Sequence, residues 1–498
     1  MKNKILFSLA LCSLCSGAIF AKNYTNKTFM TPRPQLTNMA MEYTTWHTKI
    51  DKLKKFQPAF QVTGFYQSSQ NKRNVGEYFG YYAKYAQEVR DYISMIDTDD
   101  TAVKSHPDSI KSNFIFLSSD NDAKGDIQFK PSQDAYGLRI DYYQSLRRFF
   151  FQAALPIVDI KNKMNTSNIG VPEAFTGTEN NDPRTGKTLA DYLRGDVDSA
   201  TGTIATFTEK QQALTHAKID SSRSKSGVAD IDLALGYNVL KSKHNRIGLK
   251  IDLTIPTGND AKGEYIFEPI CGNGKHWALG GGFLSTFRLW ENKNDSIELL
   301  VNTDLRYLFK NTQRRTFSLK TDEGNRINFG QYYLGGKVGE HALFPLANVL
   351  TPNIYVSPGL VFEAIAALAF NTKNFTLDVG YNIFAKNGEK ISLKDSWEKE
   401  TYAIAKAGFD TKEAAATFAT TDFQSGIGID DTLKVSNLDF DALRTPSQIT
   451  HKIYGGLGYT FNECKYPVLL GLGSSFEFVN GNTALENWAI WGKLGISF

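Results

Sequence analysis

Asn487-Trp488-Ala489-Ile490-Trp491-Gly492-Lys493-Leu494-Gly495-Ile496-Ser497-Phe498 ends the chain and decides the fold. Alternate positions sort into two faces: Trp488, Ile490, Gly492, Leu494, Ile496 and Phe498 on one, and Asn487, Ala489, Trp491, Lys493, Gly495 and Ser497 on the other. Side chains of a strand point alternately to opposite sides, so one side is apolar and the other carries an amine. Lys493 would be costly in a dry sandwich core. Against water it costs little. Such alternation over roughly 10 residues is what a tilted strand needs between hydrocarbon and a wet interior.

The same pattern recurs upstream. Ile231, Leu233, Leu235, Tyr237 and Val239 alternate with Asp230, Asp232, Ala234, Gly236 and Asn238. Ile247 to Ile255 alternate with Gly248, Lys250, Asp252 and Thr254, and Phe375 to Ile383 with Thr376, Asp378, Gly380 and Asn382. Twelve strands are expected, at 59–67, 135–144, 148–158, 229–240, 246–256, 276–289, 296–309, 358–370, 374–386, 449–461, 466–479 and 486–498. Their connections alternate between long (68–134, 159–226, 257–275, 310–357 and 387–448) and a few residues. A barrel with short turns on one side of a membrane and long loops on the other sorts its connections this way, and a soluble sandwich has no reason to. The expected fold is therefore an all-β antiparallel transmembrane barrel over 59–498. Two further strands, in Ile327–Val338 and Asn353–Val356, would raise the count to fourteen. Some helix is expected in the long loops, at Tyr82–Ile96, Thr188–Arg194, Glu209–Lys218 and Thr411–Thr417.

The start of the chain reads as an export signal. Met1-Lys2-Asn3-Lys4 precedes an apolar run from Ile5 to Cys15, and Ala18-Ile19-Phe20-Ala21 offers a small-residue cleavage site. Residues 1–21 are accordingly set apart, and 22–58 are expected in the periplasm. The chain has 56 basic and 52 acidic residues, so no strong field points to nucleic acid. No later run approaches the ~18 apolar residues of a membrane helix. Cys271 and Cys464 are the only cysteines beyond the signal, too few for a disulfide scaffold.

With these features the sequence resembles the outer-membrane β-barrels of Gram-negative bacteria. Ile490, Leu494, Ile496 and Phe498 are similar to the terminal assembly signal of that class, which implies insertion by its barrel-assembly machinery. Ala154-Leu155-Pro156-Ile157 and Thr254-Ile255-Pro256-Thr257-Gly258 resemble strand ends of hydrophobic-substrate channels in that membrane. The resemblance implies outer-membrane lipid as surroundings and small solutes as cargo of a porin-like channel or transporter.

Parity assigns Arg139, Asp141, Asp230, Asp232, Lys250, Asp252, Arg288, Glu298, Asp304, Arg306, Asp378, Lys452, Glu477 and Lys493 to the lumen. Charged rings tune the ion preference of a pore. Acids and bases are balanced here, so opposite charges can also pair across a plugged interior. The competing reading is thus a closed barrel that displays its loops for adhesion or binding. No cofactor or metal is expected. Asp120-Asn121-Asp122-Ala123-Lys124-Gly125 starts like a calcium loop but lacks the closing Glu. No histidine sits in a nucleophile or metal motif, so no catalytic residue is assigned; His276 and His341 alone fall near predicted rims.

Overall fold

The computed structural model describes residues 23–46, 56–80, 93–97, 110–111, 125–169, 189–197, 212–220, 222–338, 343–404, 429 and 432–498. Twelve staves form one closed antiparallel sheet. They are β1 (Phe56–Ser69), β2 (Ser132–Leu146), β3 (Phe149–Lys163), β4 (in two pieces, Ser222–Val228 and Ile231–Lys241), β5 (Asn245–Ile255) and β6 (Ala278–Asn292). The remainder are β7 (Asp295–Leu308), β8 (Gly359–Thr372), β9 (Phe375–Lys386), β10 (Gln448–Phe461), β11 (Val468–Val479) and β12 (Asn487–Ser497). Each pairs with its neighbours in sequence, and the ring closes where Val62 of β1 faces Leu494 of β12 on one side and Ile140 of β2 on the other. Closure leaves no edge with unpaired backbone, the condition for a sheet in lipid.

All twelve expected strands are present, and parity places their faces correctly. Leu235, Ile251, Leu472, Ile490 and Leu494 point outward and are exposed, whereas Asp232, Asp252, Ala489 and Lys493 point inward and are buried. β4 breaks at Ala229-Asp230 for a local reason. The Pro156 carbonyl accepts from the Ala229 amide at 2.9 Å, so Pro156 presents to β4 the side on which it has no N–H.

The count is twelve, not fourteen. Leu334–Lys337 pairs with Leu343–Pro345 and Tyr402–Ile404, and Asn353–Ser357 with Asn311–Arg314 and Lys390–Leu393, in small sheets of the loops. The helix expected at Thr188–Arg194 appears as Leu189–Arg194. Residues 212–218 are not helical, and Ile93–Asp97 is a strand; 82–92 and 411–417 lie outside the described residues. A helix at Lys72–Phe79 was not anticipated. Cys271, in a long connection, and Cys464, in a short turn, are both free.

The long connections gather at one end into a cap with its own apolar core. Tyr78, Phe79, Phe129, Tyr192, Phe317, Tyr332 and Leu350 are buried together there. The Tyr192 hydroxyl donates to the Tyr332 carbonyl at 2.6 Å, and the Tyr332 hydroxyl to that of Ala217 at 2.7 Å.

Candidate functional site: an occupied lumen

The N-terminal segment, expected in the periplasm, lies inside the barrel over 24–46. Residues 24–46 run through the barrel from the cap to the short-turn end. At the cap, Tyr24 exchanges hydrogen bonds with the Asn482 side chain, the Thr28 hydroxyl donates to the Thr316 carbonyl at 2.6 Å, and the Arg315 guanidinium lies 3.9 Å from the centre of the Phe29 ring. Pro32-Arg33-Pro34 forces an extended descent, since the proline rings fix φ and disfavour helix before them. A single helical turn, α1 (Met39–Tyr43), follows; the Asn38 side chain accepts from the Met41 amide as its N-cap. Trp46 ends the described passage against Gly495, where a Cβ would lie 2.7 Å from the indole. Only glycine leaves room for that ring.

Charged and polar groups fasten this segment to the wall. Arg33 reaches Glu477 at 2.8 Å, Glu363 at 2.5 Å and the Asn382 side-chain oxygen at 2.8 Å. Glu363 also accepts from the Met39 amide at 2.9 Å. Lys452 pairs with Glu477 at 3.2 Å and donates to Asn38. One turn lower, Glu42 pairs with Arg139 at 2.5 Å, while Lys493 donates to the Glu42 and Thr44 carbonyls at 2.9 and 2.7 Å. The Thr45 amide donates to Asp378.

Other wall charges pair among themselves. Lys250 lies 2.9 Å from Asp252 and 2.7 Å from Asp304, and Arg306 bridges Asp232 and Asp304 at 2.8 and 3.1 Å. Arg139 also holds Asp141 at 2.7 Å, and Asp230 accepts from the Asn273 amide. Arg288 pairs with Glu298 at 2.9 Å toward the turn end and is the one half-buried member of the predicted set. The remaining thirteen are buried. Sequence reasoning missed Glu363, although parity within β8 would have placed it inward, and missed Arg33 and Glu42, which belong to no strand.

Two cavities persist beside the segment. One, of about 20 Å³, lies between Leu36, Met39 and Glu42 and the wall at Tyr143, Gln152 and Lys250, with room for about one water. The other, of about 30 Å³, lies between 32–38 and Phe65, Gln133 and Asn487.

Above the barrel, Glu389 accepts the Thr31 hydroxyl at 2.9 Å and pairs with Arg315 at 2.5 Å. Burial alone would raise its pKa, but Arg315 and Lys386 outweigh that and hold it at about 2. His276 is a structural residue of the mouth. Nδ1–H donates to the Phe309 carbonyl at 2.7 Å, Nε2 accepts from Gln313 at 3.1 Å, and burial lowers its pKa to about 4. His341 and 120–124 of the calcium-like stretch lie outside the described residues.

No family model matches the chain, and no curated protein does. Solved structures similar in fold include an outer membrane channel from Pseudomonas putida F1 (10% identity, 88% of this chain and 95% of that one, TM-score 0.34). The Pseudomonas putida toluene transporter TodX matches at 10% identity over 96% and 97%, with a TM-score of 0.36. The Ralstonia pickettii toluene transporter TbuX matches at 9% over 96% and 98%, with a TM-score of 0.34. Such low scores lend nothing to a functional argument; strand pairing, inward charge and outward apolar surface stand without them. On those grounds the chain has the architecture of an outer-membrane β-barrel, with its lumen occupied by its own N-terminal segment.

Proposed function

We propose that the protein is a gated outer-membrane channel for small hydrophilic solutes, exported by its cleaved signal, with residues 24–46 as the gate. The observation that carries this is the Arg33 clamp on Glu363 and Glu477. Met39, Met41, Tyr43 and Trp46 pack against apolar wall residues, but the stretch around Arg33 is held by ion pairs, and buried ion pairs add little net stability over well-packed hydrophobes. Here the wall around Arg33 is charged, so that part remains wettable if the segment shifts, and water-sized cavities already flank the segment. Acids and bases of the wall are balanced, which favours neutral or zwitterionic solutes over ions of one sign. The toluene named for two of the similar structures is not carried over. In this reading the lumen is narrowed by the N-terminal segment rather than by folded external loops.

Planar-bilayer recording tests this. The full chain is expected to be mostly silent with rare openings. A variant lacking 24–46, shown to be folded by its heat-modifiable electrophoretic mobility, is expected to give stable open steps. A folded deletion variant that stays silent would sink the channel reading. It would favour a closed barrel displaying its capped loops, a reading that the cap's own apolar core supports.

A further inference from the structure

The five short turns form a ring of positive charge. Arg147 and Arg148, Lys243, Lys293, Lys373 and Lys465 are all exposed, so every turn supplies at least one base. The exposed acids beside them are Glu291 and Glu463, and Glu291 is shared by His244 at 3.1 Å, Arg288 at 3.0 Å and Lys243 of the ring at 3.5 Å. Because the turns join alternate pairs of neighbouring staves, these bases are distributed around the whole circumference.

Backbone geometry shows that they sit there against local preference. Leu146–Phe149, Asn292–Asp295 and Thr372–Phe375 are closed by two-residue turns. The first turn residue has φ of 58° at Arg147, 34° at Lys293 and 33° at Lys373. Two-residue hairpins ordinarily use Gly or Asn at such a position, since a Cβ is strained there. Three turns of three hold a long cation instead. The side chain, not the turn, accounts for the choice.

Their surroundings identify the ligand. Phe149 and Phe375 directly follow two of these turns and point outward, exposed. The Lys465 amine lies 5.3 Å from the centre of the exposed Tyr466 ring. Aromatic residues in this setting mark the headgroup level of a bilayer. A cation there meets lipid phosphate, and basic clusters at that depth attract anionic lipid. We infer that the short-turn rim is a binding ring for anionic phospholipid of the periplasmic leaflet, with the arginine and lysine side chains contacting phosphodiester groups. This requires that the barrel spans a bilayer, and not that it conducts.

The test uses the full chain in phosphatidylcholine nanodiscs containing a minor share of phosphatidylglycerol, with retained lipid read by native mass spectrometry. Wild type is expected to retain phosphatidylglycerol in preference to phosphatidylcholine, less so at high salt. Arg147→Gly, Lys293→Gly and Lys373→Gly relieve the turns, so folding is maintained or improved while retention falls about fivefold per residue. Replacing Lys161, Lys163 and Lys225 near the cap end with Gln is expected to leave retention unchanged. Equal retention of both lipids by wild type, or undiminished retention by the glycine variants, would overturn the inference. So would capture of peptidoglycan fragments by the same six bases without any preference among lipids.

Discussion

The cap and the lumen are both buried, yet apolar packing and charge are balanced differently in the two. Phe317, Tyr332, Leu346, Leu350 and Ile354 pack in the cap with little or no exposure. In the lumen, an apolar cluster of Met39, Met41, Tyr43 and Trp46 with Tyr143, Ile365 and Leu469 of the wall is joined by many charged fasteners: Arg33, Glu42, Arg139, Glu363, Lys452, Glu477 and Lys493. Apolar packing has no substitute in water, so an element held that way stays or unfolds. A hydrogen-bonded ion pair exchanges for hydration at small net cost. The difference therefore separates a lid held mainly by packing from a segment whose many charged anchors can exchange for water, and each perturbation below is chosen to break that separation or to sharpen it.

The largest effect is expected at Arg33. Arg33→Ala strands Glu363 in the lumen, a loss of about 3–5 kcal/mol in the anchoring of the segment. Lys452 still meets Glu477, but Glu363 keeps only neutral donors, Asn382 and the Met39 amide. Single-channel recording should show opening far more often than in wild type. Adding Glu363→Gln removes the stranded charge and should restore much of the closed time. Failure of the second change to help would mean that the clamp is not electrostatic.

Leu350→Ala in the cap is next. It removes a fully buried side chain at a cost of about 3 kcal/mol, and limited proteolysis of the loops should become faster. Channel openings should not increase, since 33–45 are held by the wall below. Openings as frequent as those of the Arg33 variant would erase the distinction between lid and gate.

What could be read in advance follows the same division. The wall announces itself because its period of two is local: Asp378 lies between Leu377 and Val379, and one glance along β9 assigns each side chain to lipid or lumen. The plug does not. Arg33 and Glu363 stand 330 residues apart, and no period in 24–46 marks it as an inserted segment. The acids and bases of the wall were visible as a balanced set, but their main partners lay in a segment without secondary-structure signal. In the cap, Leu334–Lys337 and Asn353–Ser357 have strand-like sequences, and only tertiary pairing shows that they build loop sheets rather than staves.

Acid should distinguish the regions more gently, starting with the mouth. His276 is buried neutral, with its pKa lowered from 6.5 to about 4. Its contribution is complete above pH 6.5 and is lost as pH falls towards 4, because the unfolded mouth takes up the proton first. Between pH 7 and 5 this removes about 2 kcal/mol. Glu389 follows at lower pH: its pKa is held at about 2 against 4.5 unfolded, so its contribution is complete above 4.5 and fades towards 2. Hydrogen exchange of 309–316 should therefore accelerate in two stages. His276→Gln should abolish the first stage and leave the second, since Gln keeps the neighbouring carbonyl and amide partnered without titrating. A first stage that survives that substitution would place the acid-sensitive group elsewhere, and the lumen ion pairs would be the next to examine by the same exchange measurement at 33–45.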